Sequence, residues 1–228
     1  MSSGAGPILL AIGSEPIEQR TRCLARIRKG VGMTVEVHWQ RYLNWCRANA
    51  PLTAATINIP VNAEYVREQE ARTGRRWPAE LHTWFGIHNG GPDGKPFVQV
   101  FPSFRPLPAD QVTARWKSLT EIWANMTAQM GGPSLLNQPA GTVTFTYIDA
   151  YIPIAENGSG DLIVVDSRPG ENYGAVLEFA GEVTDQMAIR WPSLSASLSE
   201  IATSLENRQP CRGWIPFVEN GLLDWDYP

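Results

Sequence analysis

The spacing of apolar residues changes near residue 131, and this change limits the folds that the chain can adopt. Before it, apolar side chains recur at helical spacing over long stretches, which is typical of helices with one buried face. After it, short runs rich in Val, Ile, Thr and Tyr alternate with glycine-rich turns, as in strands joined by hairpins. The sequence therefore predicts an α+β domain in which a mostly antiparallel sheet of about four to six strands is covered on one face by helices.

Five helices and four strands are predicted from these patterns. The helices lie between the following start and stop signals: Val35 and Asn49, Pro60 and Gly74, Pro78 and Asn89, Asp110 and Met130, Ser193 and Glu206. The strands are predicted at residues 142–147, 151–154, 162–165 and 175–179. Pro153 predicts an edge or a bulge in the second strand, because proline cannot donate a ladder hydrogen bond. The fourth helix carries an apolar stripe that we expect to be core: Trp116, Leu119, Trp123, Met126 and Met130.

The first 32 residues predict a poorly ordered tail, and residues 33–228 a single domain that folds alone. The tail mixes Gly, Ser and Pro with a small basic cluster, which favours a solvated extension over a nucleic-acid-binding arm. Its apolar patch, Ile8 to Ile12, is too short for a signal peptide and lacks a basic flank. We therefore expect a cytoplasmic protein, and no run in the sequence is long enough to span a bilayer.

The sequence predicts no bound metal and no cofactor. The three cysteines, Cys23, Cys46 and Cys211, are scattered without a metal-binding or disulfide spacing. His82 and His88 stand six residues apart, which places them on opposed faces of a helix. The loop from Glu156 to Asp161 alternates oxygen-bearing residues with glycines, but it lacks the ligand pattern of a calcium loop. No phosphate-binding or dinucleotide-binding glycine motif is present.

Four carboxylates allow two interpretations. Glu156, Asp161, Asp166 and Glu171 are the residue type that acid–base hydrolysis requires, and a carboxylate-dependent hydrolase therefore remains an alternative function. All four stand on predicted turns, where acidic residues also serve to bind backbone amides and keep the surface solvated. The second interpretation requires no catalytic chemistry.

The charge of the chain is unevenly distributed. Its formal net charge is −4, but residues 151–228 carry twelve acidic and four basic side chains. An acidic surface repels nucleic-acid phosphates and attracts basic proteins. The distribution predicts a basic protein partner and argues against nucleic-acid binding, whereas the sequence gives no indication of an oligomeric state.

Three segments resemble the SUKH superfamily in the same order. The segment from Tyr151 to Val176, YIPIAENGSGDLIVVDSRPGENYGAV, resembles the central hairpins of that family. Gly74 to Gly91, GRRWPAELHTWFGIHNGG, resembles its Leu-Pro, short helix and Asn-Gly, and the helix from Ser193 resembles its C-terminal helix. The resemblance spans roughly residues 35–208. It departs at Trp77, where the family favours an aliphatic residue, and at Tyr151, where Trp is common.

The resemblance implies a protein-binding role without catalysis. The superfamily includes fungal Knr/Smi-type cell-wall regulators and bacterial proteins that look like immunity factors against secreted toxins. We expect toxin neutralisation, with a regulatory scaffold in cell-wall or signalling control as the alternative. The turn residues of the hairpins, with the acidic ones forming one surface, are the expected contacts with the basic partner: Glu156, Asn157, Ser159, Asp161, Asp166, Arg168 and Glu171.

Overall fold

A computed structural model of the protein describes residues 34–94, 96–182 and 188–228. The tail predicted over residues 1–32 and Cys23 lie outside these ranges. From Thr34 onward the chain folds as one compact α+β unit, which confirms the predicted fold class. None of its helices in the described ranges is both long enough and apolar enough to cross a membrane.

The five predicted helices are all present, and a sixth, short helix follows the first. In chain order they are α1 (Val35–Asn49), α2 (Pro51–Thr56), α3 (Ala63–Thr73), α4 (Ala79–Ile87), α5 (Ala109–Gln129) and α6 (Leu194–Asn207), with a 3₁₀-helix over Gly132–Asn137 after α5. Local chemistry accounts for several ends. The Asn62 side chain accepts a hydrogen bond from the Tyr65 amide at the start of α3, and Gly74 ends that helix in the left-handed conformation.

Five antiparallel strands form the main sheet. They are β1 (Arg105–Pro106), β2 (Tyr151–Glu156), β3 (Leu162–Asp166), β4 (Val176–Phe179) and β5 (Ile189–Trp191), and they lie in this order across the sheet. Three predicted strands are thereby confirmed. The ladder between β2 and β3 shifts register between Pro153 and Ala155, which confirms the predicted bulge.

The prediction of a strand at residues 142–147 is wrong, because the chain forms no strand there. Thr144 and Thr146 are buried, and the Thr144 hydroxyl bonds to the Thr146 carbonyl oxygen only two residues along the chain. Between them, Phe145 has φ of 55° and an exposed side chain. A chain that turns this sharply cannot continue a ladder, so the alternation of apolar and polar residues here marks an irregular segment.

Both faces of the sheet are buried, whereas the sequence predicts that helices cover only one face. Successive residues of β3 alternate between two hydrophobic clusters: Ile163 and Val165 pack with helices α1, α4 and α6, whereas Leu162 and Val164 pack on the other side. The second side is covered by α5 from Leu119 onward and by the irregular segment before β2. The predicted core stripe of α5 is wrong at the C-terminal end of the helix, because Met126 and Met130 are 40% and 46% exposed.

A separate two-stranded sheet ends the described chain. It consists of β6 (Ile215–Glu219) and β7 (Leu222–Asp226), joined by Asn220 and Gly221, both with positive φ. No strand is predicted for this region from the sequence, although Asn-Gly between two apolar runs is a strong hairpin signal. On the inner side, the Leu223 amide donates to the Thr53 hydroxyl of α2 at 2.7 Å.

The Asn-Gly turn after α4 holds the start of α5. Asn89 Oδ1 accepts a hydrogen bond from the Ala109 amide at 2.9 Å, and the Asn58 side chain donates to the Asn89 and Gly91 carbonyl oxygens. Gly90 has φ of 67°, and a Cβ atom there would lie 2.5 Å from the Leu107 carbonyl carbon. Only glycine therefore fits at this position.

We expect Gly90→Ala to lower the free energy of unfolding by about 3 kcal/mol or more, because strain and a backbone clash add. Gly86→Ala is the matched control, since Gly86 lies within α4 and a Cβ there would meet nothing within 4 Å. That change should stabilise the protein by up to about 1 kcal/mol. Urea denaturation of both variants measures the difference, and equal midpoints would contradict the close approach of the two loops.

His88 is buried between two tryptophans. Its ring stacks on Trp39 with centroids 4.2 Å apart and meets Trp84 edge to face at 3.8 Å. Nδ1 accepts a hydrogen bond from the Gly90 amide at 2.8 Å, which assigns the single proton of the neutral ring to Nε2. Burial lowers the pKa of His88 to about 3. The ring is therefore neutral at physiological pH.

The buried histidine predicts a loss of stability in mild acid. Unfolding returns His88 to an ordinary pKa of about 6.5. Between that pH and its folded pKa of about 3, the unfolded state binds a proton that the folded state does not. The free energy of unfolding should thus fall by about 2 kcal/mol from pH 7 to pH 5 through this residue alone. Urea titrations at both pH values should show a smaller pH-dependent difference for His88→Gln, and an unchanged difference would contradict the assignment.

Candidate functional site

The strand register divides the seven expected contact residues into two groups. Glu156 pairs with Leu162, and Tyr151 pairs with Asp166, so that the two turns flanking β3 lie at its opposite ends. Glu156, Asn157, Ser159 and Asp161 stand at one end, while Asp166, Arg168 and Glu171 stand at the other. A strand of five residues spans roughly 13 Å. The expected single acidic surface around Glu156, Asp161 and Glu171 is therefore two separate regions.

The turn between β2 and β3 is closed by its own side chains. Asn157 Oδ1 accepts hydrogen bonds from the Ser159 and Asp161 amides, both at 2.9 Å, and its Nδ2 donates to Asp161 Oδ2 at 2.8 Å. Asp161 Oδ1 also accepts from the Gly181 amide at 3.3 Å. Asp161 thus has the turn-forming role that the sequence analysis weighs against catalysis. The Ser159 side chain stays exposed at the tip.

Beside this turn, Glu156 lies in a pocket of about 270 Å³ that we call the charged pocket. It is formed by the β1–β2 edge and the first half of α5, and it is lined by Asp93, Arg105, Leu107, Gln111, Ala114, Arg115, Ser118 and Glu156. The side chain of Arg105 is only 5% exposed. One of its terminal nitrogens donates to Glu156 Oε1 at 2.5 Å and to Gln111 Oε1 at 3.2 Å.

A second guanidinium approaches Glu156 from α5. Arg115 Nε lies 3.4 Å from Glu156 Oε2, on the oxygen that Arg105 leaves free. Asp93, whose side chain is 82% exposed, stands 3.7 Å from Arg105 at the mouth of the pocket. Arg105 and Glu156 are joined by a hydrogen bond, whereas Arg115 Nε and Asp93 stand within 4 Å of them without one. The pocket presents charges of both signs and not a purely acidic surface.

At the other end of β3, Asp166 and Arg168 form an ion pair inside the protein. Their side chains are 0% and 1% exposed, and Arg168 donates to Asp166 Oδ2 at 2.6 Å. Arg168 also donates to the Thr142 carbonyl oxygen at 2.7 Å, and Asp166 accepts from the Gly141 amide at 2.8 Å. The pair fastens the irregular segment before β2 to the sheet. Neither residue can contact a partner in this fold, so the sequence-based expectation is corrected for both.

Glu171 is the exposed member of the second group. It stands on the loop between β3 and β4, which is fixed by its neighbours: Asn172 donates to the Ala140 carbonyl oxygen at 3.3 Å and the Tyr173 hydroxyl to that of Arg76 at 3.1 Å. The side chain of Glu171 is therefore presented to solvent from a fixed backbone. Its binding of a partner stays a prediction.

The other reactive groups of the described ranges offer little chemistry. No three His, Cys, Asp or Glu side chains there converge as metal ligands. Cys46 and Cys211 are free and buried, and burial raises the pKa of each thiol to about 12. A thiol with such a pKa is not a nucleophile at neutral pH.

A comparison with models of protein families identifies the family of this chain. The model of the SMI1 / KNR4 family (SUKH-1) matches residues 60–200, which is more than half of the chain. The chain belongs to the SMI1 / KNR4 family (SUKH-1). A search of curated proteins finds no match. The matched residues of this SUKH-1 chain run from just before α3 into α6, and they include β2, β3 and the charged pocket.

Most of the charged pocket of this SUKH-1 chain is not predicted from its sequence. Gln111, Arg115 and Ser118 fall three to four residues apart on α5, which places them on one face of the helix. Arg105 stands among the apolar residues of Phe104-Arg-Pro-Leu107, a position where a charged side chain must find partners when it is buried. Those two signals were present in the sequence. The contact with Glu156, 51 positions away from Arg105, was not.

We expect Arg168→Met in the SUKH-1 chain to lower the free energy of unfolding by about 3–5 kcal/mol, because it leaves the Asp166 carboxylate buried without its cation. Arg115→Met removes an arginine from a pair whose side chains are 34% and 24% exposed, and it should cost less than about 1 kcal/mol. Denaturant unfolding compares the two. Similar small losses would show that Asp166 reaches water, and adding Asp166→Asn to Arg168→Met should restore part of the stability.

Proposed function

We propose that this SUKH-1 chain is a non-enzymatic immunity protein that binds a toxin and neutralises it. Members of the family are generally non-catalytic immunity or regulatory proteins. The observation that carries the proposal is the state of the charged groups around the β2–β3 turn. Each has a partner within the chain: Glu156 accepts a hydrogen bond from Arg105 and has Arg115 at 3.4 Å, and Asp161 is held by Asn157 and a backbone amide.

The orientation of these carboxylates suits recognition better than hydrolysis. A binding surface gains affinity when its groups are already in place, since less conformational entropy is lost on association. A carboxylate hydrolase needs two carboxyl groups that face the same bond. Glu156 and Asp161 each point to other partners, and Asp166 is buried at the far end of β3. This geometry favours binding over the hydrolase alternative.

The partner is a basic protein in this proposal, although local pairing reduces the free negative charge. Twelve acidic residues lie from 151 onward, and among those that the structure describes five form ion pairs with arginines: Glu156, Asp166, Glu178, Glu200 and Glu206. Exposed acidic residues remain at several places, among them Glu171 and Glu219. These would attract a basic toxin and speed its association.

A regulatory scaffold is the second candidate, and the same surfaces would serve it. Both candidates require a protein partner and no chemical step, so they differ in what the partner is. Capture of the partner by the full chain, followed by its identification as a toxin or as an endogenous enzyme, separates the two. Glu156→Gln tests the hydrolase alternative, because loss of acid–base catalysis would lower a rate by orders of magnitude, whereas binding would weaken only in steps.

We expect charge reversal at the mouth of the charged pocket to weaken the interaction. Asp93→Lys should slow association with the captured basic partner by about threefold to tenfold at low ionic strength, and the effect should shrink as salt is added. Glu171→Lys tests the second expected region, at the other end of β3, and Glu68→Lys, at an exposed position of α3, is the matched control. All three side chains are exposed, so the three melting temperatures should stay near that of the unmodified protein. A slower rate for Glu171→Lys alone would move the contact surface to the β3–β4 loop.

A further inference from the structure

The β6–β7 hairpin presents a free, partly apolar strand. It follows the residues that the family model matches, and β6 pairs with β7 alone in the described part of the chain. Three apolar side chains of β6 are exposed: Ile215 at 43%, Phe217 at 39% and Val218 at 41%. Neighbouring apolar side chains at this exposure, on a strand with an unpaired edge, are typical of a contact surface for another chain.

The tight turn determines which backbone groups face the free edge. With a two-residue Asn220-Gly221 turn, Glu219 and Leu222 exchange hydrogen bonds, and bonded pairs then alternate along the hairpin. The backbone groups of Pro216 and Val218 therefore point away from β7. The Leu223 amide, opposite Val218, correspondingly points away from β6 to the Thr53 hydroxyl. The free edge thus offers one donor and two acceptors: the amide and carbonyl oxygen of Val218, and the carbonyl oxygen of Pro216.

The side chains give this edge a charge preference. Ile215 lies opposite Asp226, Phe217 lies opposite Asp224, and Glu219 continues the same face at the end of β6. Asp226 and Glu219 are exposed, whereas Asp224 is engaged by the Gln99 side chain at 2.6 Å. Residues 213–228 contain three acidic side chains and no basic one. A segment that lies along β6 therefore meets apolar surface and negative charge on one face.

We propose that the free edge of β6 binds an extended segment of a partner protein in which basic residues alternate with aliphatic ones. The segment adds a third strand to the hairpin through the outward groups of Val218 and Pro216. Its lysine or arginine stems cover Ile215 and Phe217 while their charged ends reach Asp226 and Glu219. Its aliphatic residues, on the opposite face of the new strand, pack beside Val218. This inference rests on the proposed protein-binding function and names the class of segment bound.

A second copy of the chain fits this edge less well. Pairing of two β6 strands would bring together two hairpins that each carry three negative charges, and like charges across a strand pair are destabilising. Pro216 removes one donor from each edge, so two such edges would form few mutual hydrogen bonds. A basic segment of another protein has neither disadvantage.

The test uses a synthetic peptide as the probe, so it does not require the natural partner. The acetylated, amidated peptide Lys-Val-Lys-Val-Lys-Val is titrated into the full-length protein, with Glu-Val-Glu-Val-Glu-Val as the matched control. We expect amide NMR signals of β6 to shift with the lysine peptide and the hydrogen exchange of the Val218 amide to slow. The glutamate peptide should bind at least about tenfold more weakly at low salt.

Two variants and one further measurement complete the test. Glu219→Lys should weaken binding of the lysine peptide about threefold, and Glu68→Lys, at an exposed acidic position of α3 outside the hairpin, should leave it unchanged. Equal binding of both peptides, or shifts confined to residues outside the hairpin, would overturn the proposal. Sedimentation that shows a peptide-free dimer, with the Val218 amide protected at its interface, would also overturn it in favour of self-pairing. None of these results would affect capture of a natural partner through the charged pocket.

Discussion

The burial of β3 on both faces is the constraint on which the rest of this structure depends. Residues Leu162–Val165 are at most 1% exposed, so each side chain needs a hydrophobic cover above or below the sheet. Helices α1, α4 and α6 provide one cover. The other requires α5 to reach past the edge of the sheet, and Val112 and Leu119 of this helix accordingly belong to different hydrophobic clusters. The path of α5 is thus determined by packing.

The charged pocket follows from that path. Between Val112 and Leu119, α5 passes this edge of the sheet, and its polar residues there meet the short edge strand β1 and the end of β2. Arg105 enters from β1 and Glu156 from the end of β2, and their charges are paired at the point where the hydrophobic cover is interrupted. Polar residues that would destabilise either cluster therefore gather at one edge of the sheet.

Periodicity was sufficient to predict most of the fold, because helices and strands bury one or two faces at characteristic spacings. It failed where local hydrogen bonds override the pattern, as in the segment around Thr144, and where an element is too short to show a period, as in α2. The site was harder to predict, since composition does not show which charges meet. Asp166 and Arg168 are two positions apart and both polar, yet the loop folds back and buries them together. Glu156 and Asp161 could be placed at one turn, but the two arginines beside Glu156 come from distant parts of the chain.

Pro216 limits the addition of further strands to the C-terminal hairpin. An exposed strand with apolar side chains would ordinarily recruit further strands one after another, which is how sheets grow into aggregates. A proline on the outward-facing side leaves a gap in the row of donors, and the acidic residues beside it repel other copies of the chain. The chain can therefore keep this strand edge unpaired at concentrations where an edge with a complete row of free donors would cause precipitation.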